Sequence, residues 1–243
     1  NTYNSSVIGL VNLNNSLILY WGFDNVSGQT AYDYSENGIN ATMNGTTRVY
    51  GLFGKALNFT GSTGSYAISS GLGKFPTQNL TVQLFVLSNA TSSNSTLLSY
   101  ASAQSARDFA IMNQNNLRIS VNGSYIDTNI SIRDGNWHNI SVLWTGINGS
   151  LRAYKDGALA YSGTLGNRSS IASGGTLVLG QEQQSLGGAF TTATAFNGTL
   201  DEVRIFNRVI SESELFLSNR VNYYAGSSAG AISYLPNLTG LTT

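Results

Sequence analysis

A site that cleaves glycosides needs two carboxylates facing one cleft roughly 5–10 Å apart, so the acids are the first residues to weigh. The chain has five glutamates, Glu36, Glu182, Glu202, Glu212 and Glu214, and no E-x-D-x-E cluster. Asp201 and Glu202 are neighbours in a strand-like run, which predicts side chains on opposite faces. Glu212 and Glu214 fall in the first turn of a predicted helix, where negative charge meets the positive end of the dipole. The single histidine, His138, opens a strand-like run; it makes no metal cluster, and no Ser or Asp near it in sequence makes a case for a triad. The absence of cysteine removes thiolate nucleophiles and thiolate metal sites. Gly187-Gly188 has no following helix or lysine, so it reads as a turn and not as a phosphate cradle. Trp21, Trp137 and Trp144 are able to stack on sugar rings, but their positions predict core packing. Tyr223-Tyr224 are the better candidates for exposed aromatics. No catalytic residue emerges, and the chain is expected not to be an enzyme.

The chemistry written most densely into the chain is N-glycosylation. Sequons begin at Asn4, Asn14, Asn25, Asn40, Asn44, Asn58, Asn79, Asn89, Asn94, Asn122, Asn129, Asn139, Asn148, Asn167, Asn197 and Asn237, taking 16 of the 27 asparagines. Chance placement among 54 Ser and Thr would supply about 6. Asn44, Asn122, Asn148 and Asn197 each open an Asn-Gly pair, the favoured centre of a two-residue hairpin turn. Asn79 and Asn139 are expected on strand positions facing away from the apolar set, in water.

Composition agrees with a sugar-coated exterior protein. Apolar residues make up 41%, enough for a core, and charged residues only 10%, against about 25% in ordinary soluble domains. Lys plus Arg equals Asp plus Glu at 12 each, which marks the chain for neither nucleic acid nor an anionic membrane. No apolar run approaches the ~18 residues of a membrane span. Without cysteine a disulfide scaffold is excluded, and an extracellular protein lacking one suggests a microbial source. The first residue is Asn1 rather than Met, which predicts a removed leader and a secreted or cell-surface location.

Positioning falls to strands, because the apolar period is two nearly everywhere. Leu80, Val82, Leu84 and Val86 alternate with polar residues, as do Leu117, Ile119 and Val121, and Ile140, Val142 and Trp144. Asn148-Gly149 and Asp156-Gly157 punctuate a meander over 138–147, 150–155 and 158–162. Such strands predict an all-β sandwich of two antiparallel sheets. One helix is expected from Ser211 to about Asn219, with Ser211 and Glu214 forming a capping box. Residues 17–219 read as one domain, flanked by arms at 1–16 and 220–243.

Several motifs then fall into a known order. Leu19-Tyr20-Trp21-Gly22-Phe23-Asp24, Gly54-Lys55-Ala56-Leu57-Asn58-Phe59, Asp134-Gly135-Asn136-Trp137-His138, Tyr154-Lys155-Asp156-Gly157 and Gly198-Thr199-Leu200-Asp201-Glu202-Val203-Arg204-Ile205-Phe206 resemble those of laminin G-like, concanavalin A-like sandwich domains. The run Leu179–Gly188 is similar to the pentraxin branch. The resemblance implies a jelly-roll sandwich acting as a binding or structural module. It also implies calcium ligands at Glu182, the Gln183 carbonyl and, upstream, Asp108. Gln184, Thr191 and Thr194 stand where pentraxins use Asp, Glu and Gln, so the ligand set falls short of the six to eight oxygens calcium takes. No cofactor is therefore expected.

Two functions remain open. One is a structural subunit that assembles with copies of itself into a filament or surface layer with an adhesive role. Its terminal arms would make the contacts, Val7, Ile8, Leu10 and Val11 first among them, with Ile232, Tyr234 and Leu235 as a second candidate. The other is a carbohydrate- or protein-binding module of a larger surface adhesin. Nucleic acid is not an expected partner of either.

Overall fold

The computed structural model describes residues 13–25, 27–90 and 94–218. The assembly residues Val7, Ile8, Leu10 and Val11, the sequons at Asn4 and Asn237, and Tyr223-Tyr224, Ile232, Tyr234 and Leu235 lie outside them.

Two eight-stranded antiparallel sheets pack face to face, as the alternating pattern predicts. The first runs in the order β14 (Ala158–Thr164), β13 (Ser150–Lys155), β12 (Trp137–Thr145), β7 (Asn79–Leu87), β16 (Asn197–Phe206), β5 (Lys55–Thr60) and β4 (Thr47–Tyr50). β1 (Leu17–Trp21) also pairs with β16, beside its C-terminal half. The second is ordered β11 (Ser124–Asp127), β10 (Arg118–Val121), β9 (Phe109–Met112), β8 (Thr96–Ala101), β15 (Gly175–Leu179), β6 (Tyr66–Leu72), β3 (Ala41–Asn44) and β2 (Thr30–Ala31).

The alternating residues meet between the sheets. Leu80, Val82, Leu84 and Val86 of β7 join Ile140, Val142 and Trp144 of β12, Trp21 of β1 and Leu177 of β15 in one buried cluster. Trp21 and Trp144 are fully buried, and their ring N–H groups donate to the Ile39 and Leu165 carbonyls at 2.8 Å. A buried tryptophan needs such a partner, so these two rings serve the core.

A smaller apolar cluster covers the outer face of the first sheet. Leu13 and Leu17 pack there with Tyr20, Leu143, Tyr154, Phe206, Ile210 and Leu215. Leu215 belongs to α1 (Glu212–Ser218), which follows Ser211 as expected. Its capping box forms as the sequence indicates: Glu214 N–H donates to Ser211 Oγ, and Ser211 N–H donates to Glu214 Oε2 at 2.8 Å. Leu13 thus ties the last residues of the N-terminal arm to the sandwich.

The Asn-Gly expectations divide. Asn122 and Gly123 both have positive φ in the two-residue β10–β11 hairpin, as do Asp156 and Gly157 between β13 and β14. The other three pairs stand elsewhere. Asn44-Gly45 carries the chain from one sheet to the other, Asn148-Gly149 belongs to a longer loop, and Asn197-Gly198 opens β16 itself. A short sequence pair cannot tell a hairpin from a crossover, because that depends on which strand the chain joins next.

Candidate functional site

Asp201 and Glu202 do not point to opposite faces. The β16–β7 register slips between Asp201 and Arg204, and Glu202 has φ +53. One extra residue in a bulge turns successive side chains to the same side. Both carboxylates therefore reach the outer face of the first sheet. Asp201 Oδ2 accepts the Phe53 N–H at 3.2 Å. Glu202 accepts the Tyr20 hydroxyl at 2.8 and 2.9 Å and pairs with Arg204, whose guanidinium lies 4.2 Å from the Tyr20 ring centre. Burial, helped by the Glu202 charge, pushes the Asp201 carboxyl up to about 8. Burial also raises Glu202, against the pull of Arg204. Both acids are buried beneath their partners, and neither opens to a cleft that a sugar ring could enter.

His138 is more tightly held than its sequence neighbours indicate. Its Nδ1 lies 2.8 Å from Asp156 Oδ2, and its Nε2 lies 3.0 Å from both oxygens of Asp134. Asp156 also accepts the Asn139 N–H at 2.9 Å. The ring thus clamps the turn before β12 to the β13–β14 hairpin. Among the described residues no group of three or more His, Cys, Asp or Glu is arranged to hold a metal.

A concave feature among the described residues lies on the outer face of the second sheet. The loop from Gly180 to Phe196 folds back over that face, held by Gln183. Its Nε2 donates to Ser99 O and Thr176 O, each at 3.0 Å, while its Oε1 accepts the Gly187 N–H at 2.9 Å. Between this loop and β9–β11 lies a cavity of about 240 Å³ lined by Asn94, Arg107, Met112, Asn113, Arg118, Ser120, Tyr125, Glu182 and Thr194. Arg118 grips Asp127 with two hydrogen bonds of 2.7 and 2.8 Å and lies over the Tyr125 ring, 3.8 Å from its centre. Tyr125 is 56% exposed. Arg107 forms an ion pair with the buried Glu182. Sequence reasoning missed Arg107, Arg118 and Tyr125. The alternation of β10 and β11 places Arg118 and Tyr125 on the solvent side, but nothing local brings Arg107 or the 180–196 loop beside them.

The residues implied as calcium ligands do not fit the ion. The Glu182 carboxylate is paired with the Arg107 guanidinium. At Gln183 the implied ligand is the backbone carbonyl, while its side chain bonds Ser99, Thr176 and Gly187. Asp108 is buried, and desolvation raises its pKa although the hydroxyls of Ser102 and Ser105 hydrogen-bond to it. Calcium requires several ionised oxygens converging on one point, and the two implied carboxylates have other partners, Arg107 at Glu182 and the Ser102 and Ser105 hydroxyls at Asp108.

Most of the described sequon asparagines are exposed: Asn14, Asn40, Asn44, Asn79, Asn89, Asn94, Asn122, Asn129, Asn148, Asn167 and Asn197. Asn25 and Asn58 are half-buried; Asn25 donates to Ser27 O and Thr30 O, and Asn58 accepts from Thr199. Asn139 departs from expectation. Its side chain does leave the inter-sheet core, but it is only 6% exposed. The outer face of the first sheet is itself packed in this region, so facing away from the core does not mean facing water.

Sequence and structure comparisons agree with this architecture. A family model described as the concanavalin A-like lectin/glucanases superfamily matches residues 60–216. Neuronal pentraxin-2 of Cavia porcellus is 31% identical over 162 residues, which cover 65% of this chain and 38% of that protein. Neuronal pentraxin-1 of Homo sapiens is 36% identical over 139 residues, 56% of this chain and 32% of that protein. The chain thus spans less than two fifths of these relatives. Among solved structures, the native heptameric SAP-like pentraxin from Limulus polyphemus is similar with a TM-score of 0.53 and 25% identity, covering 60% of this chain and 71% of its own. Domain 4 of AbnA, an extracellular arabinanase from Geobacillus stearothermophilus, in complex with arabinotriose, is similar in fold, with a TM-score of 0.62 and 20% identity over 84% of this chain and 98% of its own. With its two antiparallel sheets, its laminin G-like motifs and its pentraxin relatives, the chain belongs to the concanavalin A-like lectin/glucanase superfamily.

Proposed function

We propose that this chain is a non-catalytic, N-glycosylated extracellular module that binds neutral carbohydrate in the groove over the second sheet, without calcium. The observation that carries the reading is the pairing of both groove arginines with carboxylates, Arg107 with Glu182 and Arg118 with Asp127. Such pairs present fixed donors and acceptors side by side with no net charge, as vicinal sugar hydroxyls require. The exposed Tyr125 ring supplies an apolar surface for a sugar face. A neighbour of the same fold holds arabinotriose, which favours the same ligand class. The Arg107 guanidinium neutralises Glu182 in the role that a metal ion would otherwise have.

Calorimetric titration of the native glycoprotein with a panel of neutral oligosaccharides tests the reading. Binding is expected for at least one of them, unchanged by a chelator, and weakened roughly tenfold by Tyr125→Ala, about 1.4 kcal/mol. Binding that requires calcium, or that ignores Tyr125→Ala and Arg118→Ala, overturns it.

A second reading, a self-assembling subunit of a filament or layer with adhesion as its consequence, is favoured by the edge of the first sheet. β14 is a long, uncharged edge strand with most of its residues exposed, and such edges accept strands from other chains.

A further inference from the structure

The geometry points to a specific joint between subunits: the free edge of β14 in one copy receives the segment Ser6–Val11 of a second copy. The inference rests on the assembly reading.

The edges of the two sheets differ in how they are guarded. β2 has two residues, and Arg48 caps the Gly28 and Thr30 carbonyls beside it, at 2.6 and 2.8 Å. β4 has four residues and contains that same arginine. β11 has four, contains the ion-paired Asp127, and is bracketed by the sequons at Asn122 and Asn129. Short length, charge and bulky groups are the usual defences of a sheet edge. β14 has seven residues, Ala-Leu-Ala-Tyr-Ser-Gly-Thr, with no charge, proline or sequon among them. It carries one irregularity, a register slip against β13 between Tyr161 and Leu159; from Tyr161 to Thr164 the pairing is regular. Among the described residues no strand pairs with its other side.

The edge is apolar on both faces. Tyr161 lies opposite Ala153 and packs against the core between the sheets. Leu159 lies opposite Tyr154, a member of the outer cluster, and is 51% exposed. A strand added here meets apolar surface on either side, so its own side chains must be apolar at both parities. Val7-Ile8-Gly9-Leu10-Val11 has that composition: Val7 and Val11 on one side, Ile8 and Leu10 on the other. Its length matches the edge, and the sequons at Asn4 and Asn14 flank it without entering it.

The donor must come from another copy. β1 is separated from a strand added beyond β14 by β16, β7, β12, β13 and β14. Six inter-strand steps span about 29 Å. Leu13 lies one helical turn before Leu17 of β1, about 6 Å. The two residues from Leu13 back to Val11 add at most about 7 Å. The arm falls short of its own edge by roughly half the distance. A contact in which an arm of one copy enters an edge of the next is heterologous, and builds an open chain of subunits unless rotation closes it into a ring.

Sedimentation and electron microscopy of the full glycosylated chain test the joint with two variants. Leu159→Lys with Ser162→Lys charges the edge at exposed positions, and Ile8→Asp with Leu10→Asp charges the arm. The full chain is expected to form linear polymers, and each variant alone to be monomeric with an unchanged melting temperature. An equimolar mixture of the two variants should yield a species of twice the monomer mass, because the intact arm of one fits the intact edge of the other. If the full chain polymerises and the edge variant does so equally, β14 is not the acceptor, while the assembly reading stands. A mixture with no dimer removes the arm as donor. A full chain that remains monomeric at millimolar concentration overturns both the joint and the assembly reading.

Discussion

Asp201 shows how one buried side chain can set the pH response of a domain. Its pKa lies near 8 in the fold because burial disfavours the charged form, while an exposed aspartate in the unfolded chain titrates near 3.8. The folded state therefore holds its proton more tightly. That stabilisation is complete below about pH 4 and is lost as the pH rises through 8. Glu202 and Asp24 are raised in the same direction by burial. Glu214 has the opposite sign: Arg208 and Ser211 hold it at about 2, so its contribution is present above the normal glutamate range and fades toward pH 2. Thermal melts across this range should show the highest melting temperature in mild acid and a fall toward pH 9. Asp201→Asn, which has no proton to lose, should flatten the alkaline side; an unchanged slope would show that Asp201 does not control it.

At the scale of the element, the 180–196 loop decides whether the second sheet carries a groove. A loop of this length needs internal partners to remain folded back, and Gln183 supplies them through bonds to β8, β15 and Gly187. Gln183→Ala removes its bonds to the Ser99 and Thr176 carbonyls and the Gly187 N–H, at a cost of about 2–3 kcal/mol. The melting temperature should fall, and amide exchange should quicken selectively from Glu182 to Gly188. Uniform exchange across both sheets would mean that Gln183 stabilises the sandwich as a whole. The bulge in β16 is the corresponding device on the other sheet, since it delivers two acids to one face and buries them beneath Tyr20 and the Phe53 turn.

Over the whole molecule, a surface with few charges is balanced by asparagines open to modification at both ends of the sandwich. The native protein is expected to migrate well above 25.8 kDa. Peptide mapping should find sugar at the exposed sequons, such as Asn44, Asn89, Asn122 and Asn167, and none at Asn139. Asn25 should carry less than its neighbours, because its amide already donates to two carbonyls. A bare polypeptide mass from the native host removes the glycosylation reading. Heavy occupancy at Asn139 would instead show that sugars are attached before the outer face of the first sheet closes.

What the sequence by itself determined is what acts over a few residues. Period-two alternation set the strands of β7, β10 and β12, positive φ at Asn122-Gly123 and Asp156-Gly157 set two hairpins, and Ser211 with Glu214 set the helix start. What only the tertiary structure decided depends on partners far along the chain. One extra residue in the β16–β7 register turned Asp201 and Glu202 to the same face. Packing on the outer sheet face buried Asn139. Arg107 met Glu182 across 75 positions, pairing a carboxylate that the resemblance implied for calcium and lining the groove beside it. Local backbone preference carries no information about which distant side chain will occupy the other side of a sheet, so burial and charge pairing at these sites awaited the fold.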